Sequence, residues 1–579
     1  MSFPPAILRA LSVVWVGAVL AGCGGTEPPP PEDAIAQQTA FRVRAAIDAG
    51  LNADAGWAGA ANENATVDVE QPFRIRFEVE GPAAGSAPLR LQVRRNGGTW
   101  TTVPAADFPY PSEATPRVSI VSTTAYADRA ATTDLLTGSD APFRAGAGVS
   151  LADSTRPLPV DSSVQSEWEW PLVIRRFADG AVTNDASDTF TFRMADAEGR
   201  PVASNTYPTI MAAVPPRLLG GTFVETPGRL GPWEASNGDL YFIMEPSETF
   251  NVLMVVKSTD GGATWEEVDG ANRPATGDLE GFGSDRHDDT IHMLHQADEA
   301  VLYHAFRTSD HPTDPDTWVV RDDTVATPGE PPVQVATLTA RSDGSLVAVY
   351  GGPEKIHVAT RSPERTWSDE TVIDASMAPG LSGPQTGRGA DDVVHLAYTG
   401  RDGTAWYRRI QPDGTLTPRV AISSDIGTTE GDVGSVLPLV VLPETNTVVA
   451  LYRRTDGRLW ARRITGDGAP SEPVQVTKRR VVQNAVDSDQ AGADAIAADG
   501  AVHVLFIDED AGHIYHTQSR AAGRWQPATL QVDSVNAQWI RGMPLRRGGP
   551  APRVYGFVYD AGSNGGSGMN RYAEVPLGR

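Results

Sequence analysis

The stretch Asn237-Gly238-Asp239-Leu240-Tyr241-Phe242-Ile243 joins a short turn to an apolar strand. The same pattern of turn followed by strand recurs six times towards the C-terminus. With Tyr241 as the marker, the markers lie 48 to 55 residues apart, at 241, 292, 347, 395, 449, 503 and 555. A repeat of about 50 residues with three or four short strands has the size of a β-propeller blade. Seven markers therefore predict seven blades.

Closure of the ring requires the two ends of the repeat region to meet. An isolated strand at residues 222–226 precedes the first marker, and the last repeat has room for only three strands. We expect residues 222–226 to complete the final blade beside Met569 to Leu577. Such closure removes exposed sheet edges.

Residues 40–216 show a different pattern from the repeats. Phe73-Arg74-Ile75-Arg76-Phe77-Glu78-Val79 alternates with period two, which is typical of a half-buried strand. An Asn-Gly pair at 96–97 has the residues that a hairpin turn prefers. The region is predicted to form an immunoglobulin-like or fibronectin-like β-sandwich, and Pro215 and Pro216 mark its boundary with a propeller at 217–579.

The N-terminus has the features of a targeting segment. Arg9 precedes an apolar stretch from Ala10 to Leu20, which is too short to span a membrane as a helix. The following Leu20-Ala21-Gly22-Cys23 resembles the bacterial lipobox, which implies that residues 1–22 are a signal peptide and that Cys23 is lipidated. Residues 23–39, which include a run of four prolines, are expected to form an extended tether.

Composition narrows the classes of function. The chain has 579 residues, with 73 acidic and 48 basic side chains and a net charge of −25, which disfavours nucleic acid as a partner. Its 57 glycines and 45 prolines favour many turns over long helices. One cysteine excludes an internal disulfide framework or a cysteine-rich zinc site. We expect an all-β monomer without a cofactor or a metal.

The first repeat ends in Ser258-Thr259-Asp260-Gly261-Gly262-Ala263-Thr264-Trp265. This stretch resembles the Asp-box of bacterial neuraminidase (sialidase) repeats at Ser258, Asp260, Gly262, Thr264 and Trp265. The resemblance implies a turn between the two outer strands of a blade, in which the Asp binds backbone amides and the Trp packs between blades. Degenerate copies follow at 308–318, 361–367 and 523–525.

Sialidase chemistry is a further implication of this resemblance. Sialidases use a Tyr nucleophile, a Glu that activates it, an Asp acid/base and three Arg that bind the substrate carboxylate. One of these Arg belongs to an Arg-Ile-Pro motif, at which this chain has Arg229-Leu230-Gly231-Pro232. The sialidase propeller has six blades, which leaves a six-bladed ring as the alternative. Seven-bladed relatives resemble fucose-binding lectins and polysaccharide lyases of the ulvan-lyase kind.

Several residues in front of the marker strands are candidates for a site on one propeller face. Trp233 and Trp539 are candidates for stacking on sugars, and Arg541 for pairing with a sugar carboxylate. Packing between blades is the alternative for both indoles. Arg229, Glu234 and Arg541 are the candidates for catalytic positions. Acidic residues in equivalent segments, expected as solvated turn formers, are Glu280, Glu430, Asp432, Asp487 and Asp489.

Three histidines occupy the same repeat position: His292, His395 and His503. Three imidazoles suffice for a zinc site, but equivalent positions in different blades lie far apart on a ring. A shared structural role is therefore the favoured interpretation.

Together these features predict a lipid-anchored protein of the bacterial cell envelope, in the outer membrane and either periplasmic or surface-exposed, that recognises glycans. A sialidase-like glycosidase or a polysaccharide lyase is one alternative. A scaffold that binds protein partners is another.

Overall fold

The computed structural model describes most of the chain after the predicted tether. The described residues are 35–81, 88–106, 116–150, 152, 155, 164–176, 188–221, 228–244, 252–268, 273–275, 281–297, 300–310, 317–327, 335–351, 355–375, 384–400, 402–426, 438–466, 468–482, 492–520, 523–533, 537, 539–560 and 570–577. All regular structure in these segments is strand. Within them, no helix has the length and apolarity needed to span a bilayer. The predicted signal peptide and Cys23 lie outside the described residues.

Eleven strands form the N-terminal domain. They are β1 (Ala36–Arg44), β2 (Ala65–Asp68), β3 (Phe73–Glu80), β4 (Arg90–Arg95), β5 (Thr101–Thr102), β6 (Val118–Ile120), β7 (Ala147–Gly148), β8 (Gln165–Ile174), β9 (Thr189–Ala195), β10 (Val202–Ala203) and β11 (Thr209–Ala213). β1 begins within the stretch predicted as tether.

The eleven strands make two sheets with the orders β10-β1-β3-β8-β6 and β2-β11-β9-β4-β5, and β7 joins the first sheet beside β8. The pairs β1/β10, β2/β11 and β7/β8 are parallel and the other pairs are antiparallel. Both sheets contribute to one hydrophobic cluster, which includes Phe77 and Trp170 from the first sheet and Phe192 from the second. Two sheets that share one hydrophobic cluster are the two layers of a sandwich.

The opposite face of the first sheet is also buried. Arg76, Glu167 and Glu169 on β3 and β8 have no exposed surface. Segments that follow β1 and β6 cover them, since Arg76 Nη1 donates to the carbonyl oxygen of Leu51 at 2.7 Å and Arg76 Nη2 donates to that of Thr133 at 2.6 Å. This layer of buried charges forms a second, polar core.

The remaining strands form the repeat region. They are β12 (Trp233–Glu234), β13 (Leu240–Met244), β14 (Met254–Ser258), β15 (Glu266–Glu267), β16 (Phe282–His287), β17 (Thr290–Ala297), β18 (Ala300–Arg307), β19 (Val320–Ala326), β20 (Val335–Ala340), β21 (Leu346–Gly351), β22 (Ile356–Arg361), β23 (Thr371–Asp374), β24 (Gln385–Arg388), β25 (Val394–Thr399), β26 (Ala405–Ile410), β27 (Val420–Ser423), β28 (Leu439–Leu442), β29 (Thr447–Arg453), β30 (Arg458–Ile464), β31 (Val474–Arg480), β32 (Ala493–Ala498), β33 (Ala501–Ile507), β34 (Ile514–Arg520), β35 (Thr529–Val532), β36 (Ile540–Leu545), β37 (Val554–Asp560) and β38 (Asn570–Pro576).

These strands form seven consecutive sheets among the described residues, six of four strands and a last sheet of three. The first strands of neighbouring sheets contact each other from β16 to β36, and β36 contacts β12. Tyr241 and its six equivalents lie on the second strand of each sheet. The innermost strand is the one that precedes the marker. The predicted propeller fold is confirmed.

Residues immediately before the repeats reach the last blade. The Leu219 amide donates to the carbonyl oxygen of Asn570 at 2.8 Å, and the Tyr572 amide donates to that of Arg217 at 2.9 Å. The chain therefore runs beside β38 at 217–219. The predicted closing strand at 222–226 and Met569 lie outside the described residues.

The Asp-box is a self-contained turn between β14 and β15. Asp260 Oδ1 accepts hydrogen bonds from the amides of Ala263 at 3.0 Å and Thr264 at 2.9 Å, and Oδ2 accepts one from Thr264 Oγ1 at 2.6 Å. Ser258 Oγ accepts a hydrogen bond from the Gly262 amide at 2.7 Å. Four donors to Asp260, counting the 2.8 Å bond from Ser258 Oγ, fix the turn.

The tryptophan of the box packs between blades one and seven. Trp265 is buried, and its ring lies 5.5 Å from that of Tyr572 on β38. The carbonyl oxygen of Trp265 also accepts a hydrogen bond from Arg176 at the end of the sandwich. The box therefore connects the ring closure with the N-terminal domain.

Candidate functional site

A cavity of about 310 Å³ lies at the centre of the ring. Its walls come from the innermost strands of six blades and from the segment Gly228–Gly231, which precedes β12. Apolar walls are provided by residues such as Leu230, Leu439 and Met543. A cavity of this size, with apolar and polar walls in similar measure, is large enough for a small ligand.

Four arginines and two aspartates line this cavity. They are Arg229, Arg286, Arg388, Arg541, Asp285 and Asp494. The formal charge of these lining groups is positive when all are ionised, in a chain whose net charge is −25. The arrangement favours an anionic ligand, because opposite charges attract strongly where water is excluded.

Arg229 and Arg541 approach the cavity from neighbouring blades. Arg229 Nη2 donates to the carbonyl oxygen of Thr386 at 2.9 Å, so its side chain reaches from blade one to blade four. Arg541 Nε donates to the carbonyl oxygen of Gly228 at 3.3 Å and is 4% exposed. The structure thus brings both predicted arginines to one cavity.

The third arginine, Arg388, lies near the rim. It ends β24, and its Nη1 lies 3.4 Å from Asp392 Oδ1 in an exposed pair. A surface pair of this kind contributes little to stability, so the protein loses little if Arg388 binds a ligand instead.

Both aspartates of the cavity are held by backbone amides. Asp285 accepts hydrogen bonds from the amides of Ala340 and Arg286, each at 2.8 Å. Burial raises the pKa of Asp285, although Arg229 opposes the shift. Burial disfavours the charged carboxylate, whereas the guanidinium of Arg229 and the two amides favour it.

Asp494 has an equivalent environment in blade six. Its Oδ2 accepts hydrogen bonds from the Gly542 amide at 2.6 Å and from the hydroxyl of Tyr555 at 2.9 Å. Burial raises the pKa of Asp494, with Arg541 acting in the opposite direction. Asp285, Arg286, Arg388 and Asp494 are missing from the sequence prediction, which does not identify the innermost strands.

The prediction of exposed indoles at Trp233 and Trp539 is wrong. Trp233 is 5% exposed, and its Nε1 donates to Ser284 Oγ in the next blade at 2.9 Å. Trp539 has no exposed surface and stacks on Phe242 with ring centroids 6.4 Å apart. Both side chains pack between blades, because the innermost strands form the tight centre of the ring.

Glu234 has a different role from the one predicted. Its two carboxylate oxygens accept hydrogen bonds from the amides of Arg546 and Arg547, which lie in the turn of blade seven. Glu234 is not among the described lining residues of the cavity. It connects the first and last blades. The acidic candidates Glu280, Glu430, Asp432, Asp487 and Asp489 lie outside the described residues.

The three repeated histidines do not meet. His292 Nδ1 lies 2.7 Å from the hydroxyl of Tyr303, and His395 Nδ1 lies 2.6 Å from that of Tyr407. His503 Nδ1 lies 3.1 Å from His516 Nε2. Each histidine pairs with the next strand of its own blade, which is a structural role repeated around the ring.

The ring of sheets, the Asp-box turn and the central cavity define a β-propeller protein with an N-terminal sandwich. No protein-family model and no curated protein matches the chain. Among solved structures, NanB sialidase from Streptococcus pneumoniae is 11% identical with a TM-score of 0.36, over 95% of this chain and 93% of that one.

Two further solved structures are similar over 62% of this chain. A fucose-recognising lectin from Aleuria aurantia, a six-bladed propeller, is 10% identical with a TM-score of 0.33, over 62% of this chain and 95% of that one. The intramolecular trans-sialidase from Ruminococcus gnavus is 10% identical with a TM-score of 0.34, over 62% and 97%.

Proposed function

We propose that this protein binds acidic glycans in the central cavity of its propeller. The observation that carries the proposal is the set of four arginines that line a cavity of about 310 Å³. Guanidinium groups bind carboxylates through paired hydrogen bonds. The apolar walls suit the faces of a sugar ring, and the volume suits a terminal sugar residue rather than a long chain.

Binding is favoured over glycoside hydrolysis by the composition of the cavity wall. The described lining residues include neither a tyrosine nor a glutamate. The phenol of Tyr555 is buried and donates a hydrogen bond to Asp494 of the cavity. A sialidase-like mechanism requires an accessible Tyr nucleophile. Hydrolysis and lyase activity remain alternatives for the test below.

Arg229→Gln is expected to weaken the binding of acidic glycans by roughly ten- to a hundredfold, since a charge-assisted hydrogen bond contributes about 1.5–3 kcal/mol. Glycan arrays should first show binding to sugars with a terminal carboxylate and not to their neutral counterparts. Isothermal titration calorimetry of one acidic hit then gives the affinities. Arg458→Gln, which removes an arginine from an exposed pair with Asp456, is the matched control and should bind normally.

Three results would contradict this proposal. They are the absence of glycan binding, equal effects of Arg229→Gln and Arg458→Gln, and turnover of a bound glycan. Turnover would be detected by release of a fluorogenic aglycone for a sialidase, or by ultraviolet absorbance of an unsaturated uronate for a lyase. Recovery of one stoichiometric protein partner without glycan binding would favour the scaffold alternative.

We further propose that Cys23 anchors the protein in the bacterial cell envelope. The support is the lipobox-like stretch Leu20–Cys23 and the position of the chain's single cysteine at its end. Acyl chains each contribute about 0.8 kcal/mol per buried methylene, so two or more chains hold a protein at a membrane.

Cys23→Ser is expected to abolish acylation and move the protein from the membrane fraction to the soluble fraction. Labelling with a clickable palmitate analogue and fractionation of the bacterial host measure both effects. Gly25→Ser, two residues downstream, leaves the cysteine in place and should remain membrane-bound. A Cys23→Ser protein that still sediments with membranes would overturn the proposal.

A further inference from the structure

The outer face of the second sandwich sheet carries two arginines and two aromatic residues in contact. Arg94 on β4 and Arg193 on β9 project from this face, because alternate residues of both strands point into the hydrophobic core. Their guanidinium carbons lie 4.7 and 4.2 Å from the ring centroid of Trp100. Tyr207 packs edge-on against the same indole at 5.9 Å between centroids. These four half-buried residues form the arginine–tryptophan patch.

The two guanidiniums of the patch carry uncompensated positive charge. Among the residues that the structure describes, Arg193 Nε donates to Gln92 Oε1 at 2.8 Å, and neither Arg94 nor Arg193 has an acidic partner. Asp188 and Asp196, which flank β9, pair with other arginines. The Nη atoms of Arg94 and Arg193 reach the surface and make no hydrogen bond there. Both guanidiniums therefore have donors available for the oxygens of an anion.

The patch lies where the chain enters the sandwich. The Tyr207 hydroxyl donates to the carbonyl oxygen of Val202 at 3.0 Å, and Val202 is the register partner of Ala36 at the start of β1. Ala36 follows Cys23 by 13 residues, which span at most about 45 Å at about 3.3–3.6 Å per residue. Anchoring through Cys23 therefore keeps this end of the sandwich close to the bilayer.

A phospholipid surface fits both the chemistry and the position of the patch. Guanidiniums bind phosphate oxygens through paired hydrogen bonds, and tryptophan and tyrosine are enriched at the level of the lipid headgroups. The net charge of −25 repels an anionic surface, so contact is favoured only where the local charge is positive. Two arginines bind a free protein weakly, but a tether raises the effective concentration of the surface and makes a weak contact sufficient.

We propose that the arginine–tryptophan patch docks on the headgroups of the membrane that holds the protein and binds their phosphates. This inference rests on the proposed anchoring at Cys23. Docking fixes which side of the sandwich faces the bilayer. An acidic glycan is the other occupant that the test below distinguishes.

Coupling to vesicles through the single cysteine tests the patch independently of native acylation. The chain from residue 23 onwards is attached through the Cys23 thiol to maleimide-bearing lipids. On vesicles that contain phosphatidylglycerol, brominated lipids should quench Trp100, measured as the difference between the wild type and Trp100→Phe. The difference should be smaller on vesicles of phosphatidylcholine alone, and high salt should reduce it.

Paired substitutions separate the charge of the patch from its fold. Arg94→Gln with Arg193→Gln should lower the ratio of docked to undocked protein about thirtyfold, or about fivefold for each arginine. Arg94→Lys with Arg193→Lys keeps both charges and should retain most of the quenching. Arg458→Gln with Arg463→Gln removes the same charge from exposed positions of the propeller and should behave like the wild type.

The proposal is overturned if Trp100 is not quenched on the anionic vesicles, or if the glutamine pair is quenched like the wild type. It is equally overturned if a soluble acidic oligosaccharide changes the fluorescence of Trp100 and the lysine pair abolishes that change, because the patch is then a glycan site. Docking of the coupled chain together with a Cys23 that is not acylated in the bacterial host would contradict the anchoring but support phosphate binding by the patch.

Discussion

Glu169→Gln is expected to lower the free energy of unfolding of the sandwich by about 3–5 kcal/mol, the usual effect of removing one partner from a buried ion pair. Glu169 Oε1 lies 3.3 Å from Arg44 Nε and 2.9 Å from Arg74 Nη1, and Oε2 lies 2.9 Å from Arg76 Nη1. All four side chains have no exposed surface. One carboxylate therefore compensates charge on three guanidiniums.

Glutamine has nearly the same shape as glutamate but no charge. After the substitution, Arg76 keeps Glu167 as an ion-pair partner, whereas Arg44 and Arg74 lose the carboxylate with which they pair. Repulsion among the guanidiniums is then no longer offset, and water cannot reach them without opening the loops that cover the sheet. Local opening of these loops is the expected route of unfolding.

Scanning calorimetry of the full chain should show the sandwich transition lowered by on the order of 10 °C. Hydrogen exchange measured by mass spectrometry identifies the affected domain, because β3 and β8 should lose protection while the propeller strands keep theirs. Glu198→Gln is the control, since its carboxylate is 67% exposed and 3.9 Å from Arg200. Equal effects of the two substitutions would show that the polar core does not need its charges.

The burial of these charges illustrates what a strand's own sequence leaves open. The period-two pattern of β3 correctly predicts a strand, and Phe77 lies in the hydrophobic core as expected. The alternate residues Arg74 and Arg76 look like a solvent face, yet they are completely buried. Other segments cover these side chains. One of them contains Leu51, whose carbonyl oxygen accepts a hydrogen bond from Arg76. That contact depends on tertiary structure and has no periodic signal.

In the propeller, too, the sequence pattern predicts some strands and leaves others undetected. Apolar second strands such as β13 and β33 are continuous hydrophobic runs, so their spacing predicts the number of blades. The innermost strand β24, Gln385–Arg388, is short and polar and borders the central cavity. A short strand of this kind has no clear periodic signal, and Trp539, which directly precedes β36, packs between blades rather than facing a ligand.

The second large effect concerns acid stability. The propeller is expected to lose about 1.4 kcal/mol of stability per pH unit for each buried histidine as the pH falls from about 6.5 towards 4. Burial lowers the pKa of His395 to about 4, that of His516 to about 4 and that of His292 to about 3. In the unfolded chain a histidine titrates near 6.5.

Stability falls with pH because the unfolded state binds the proton more readily than the folded state. A histidine with a depressed pKa in the fold stays neutral there, while the unfolded chain takes up a proton below about pH 6.5. Stability is therefore complete above pH 6.5 and is lost as the pH falls to the folded pKa. Aspartates with lowered pKa, such as Asp260 and Asp343, act in the same direction but at lower pH. Asp285 and Asp494, whose pKa values are raised by burial, act in the opposite direction.

Comparison of variants isolates one imidazole from these other groups. His395→Asn keeps an amide near the position of Nδ1, so the difference in unfolding free energy between the wild type and this variant reports His395 alone. That difference should change by about 1.4 kcal/mol per pH unit between pH 6 and 4.5, measured by urea unfolding at each pH. The carboxylates cancel, since both proteins contain all of them.

Tyr407→Phe distinguishes burial from hydrogen bonding as the cause. It removes the hydroxyl that lies 2.6 Å from His395 Nδ1 but leaves the imidazole inside the blade. Because burial is the main reason for the low pKa of His395, Tyr407→Phe should destabilise the propeller at neutral pH and keep the wild-type slope below pH 6. If the unfolding free energy of Tyr407→Phe did not change with pH below 6, the wild-type slope would instead be assigned to the His395–Tyr407 hydrogen bond. The histidine–tyrosine hydrogen bond, repeated at His292 and Tyr303, would then be the element that makes the ring sensitive to acid.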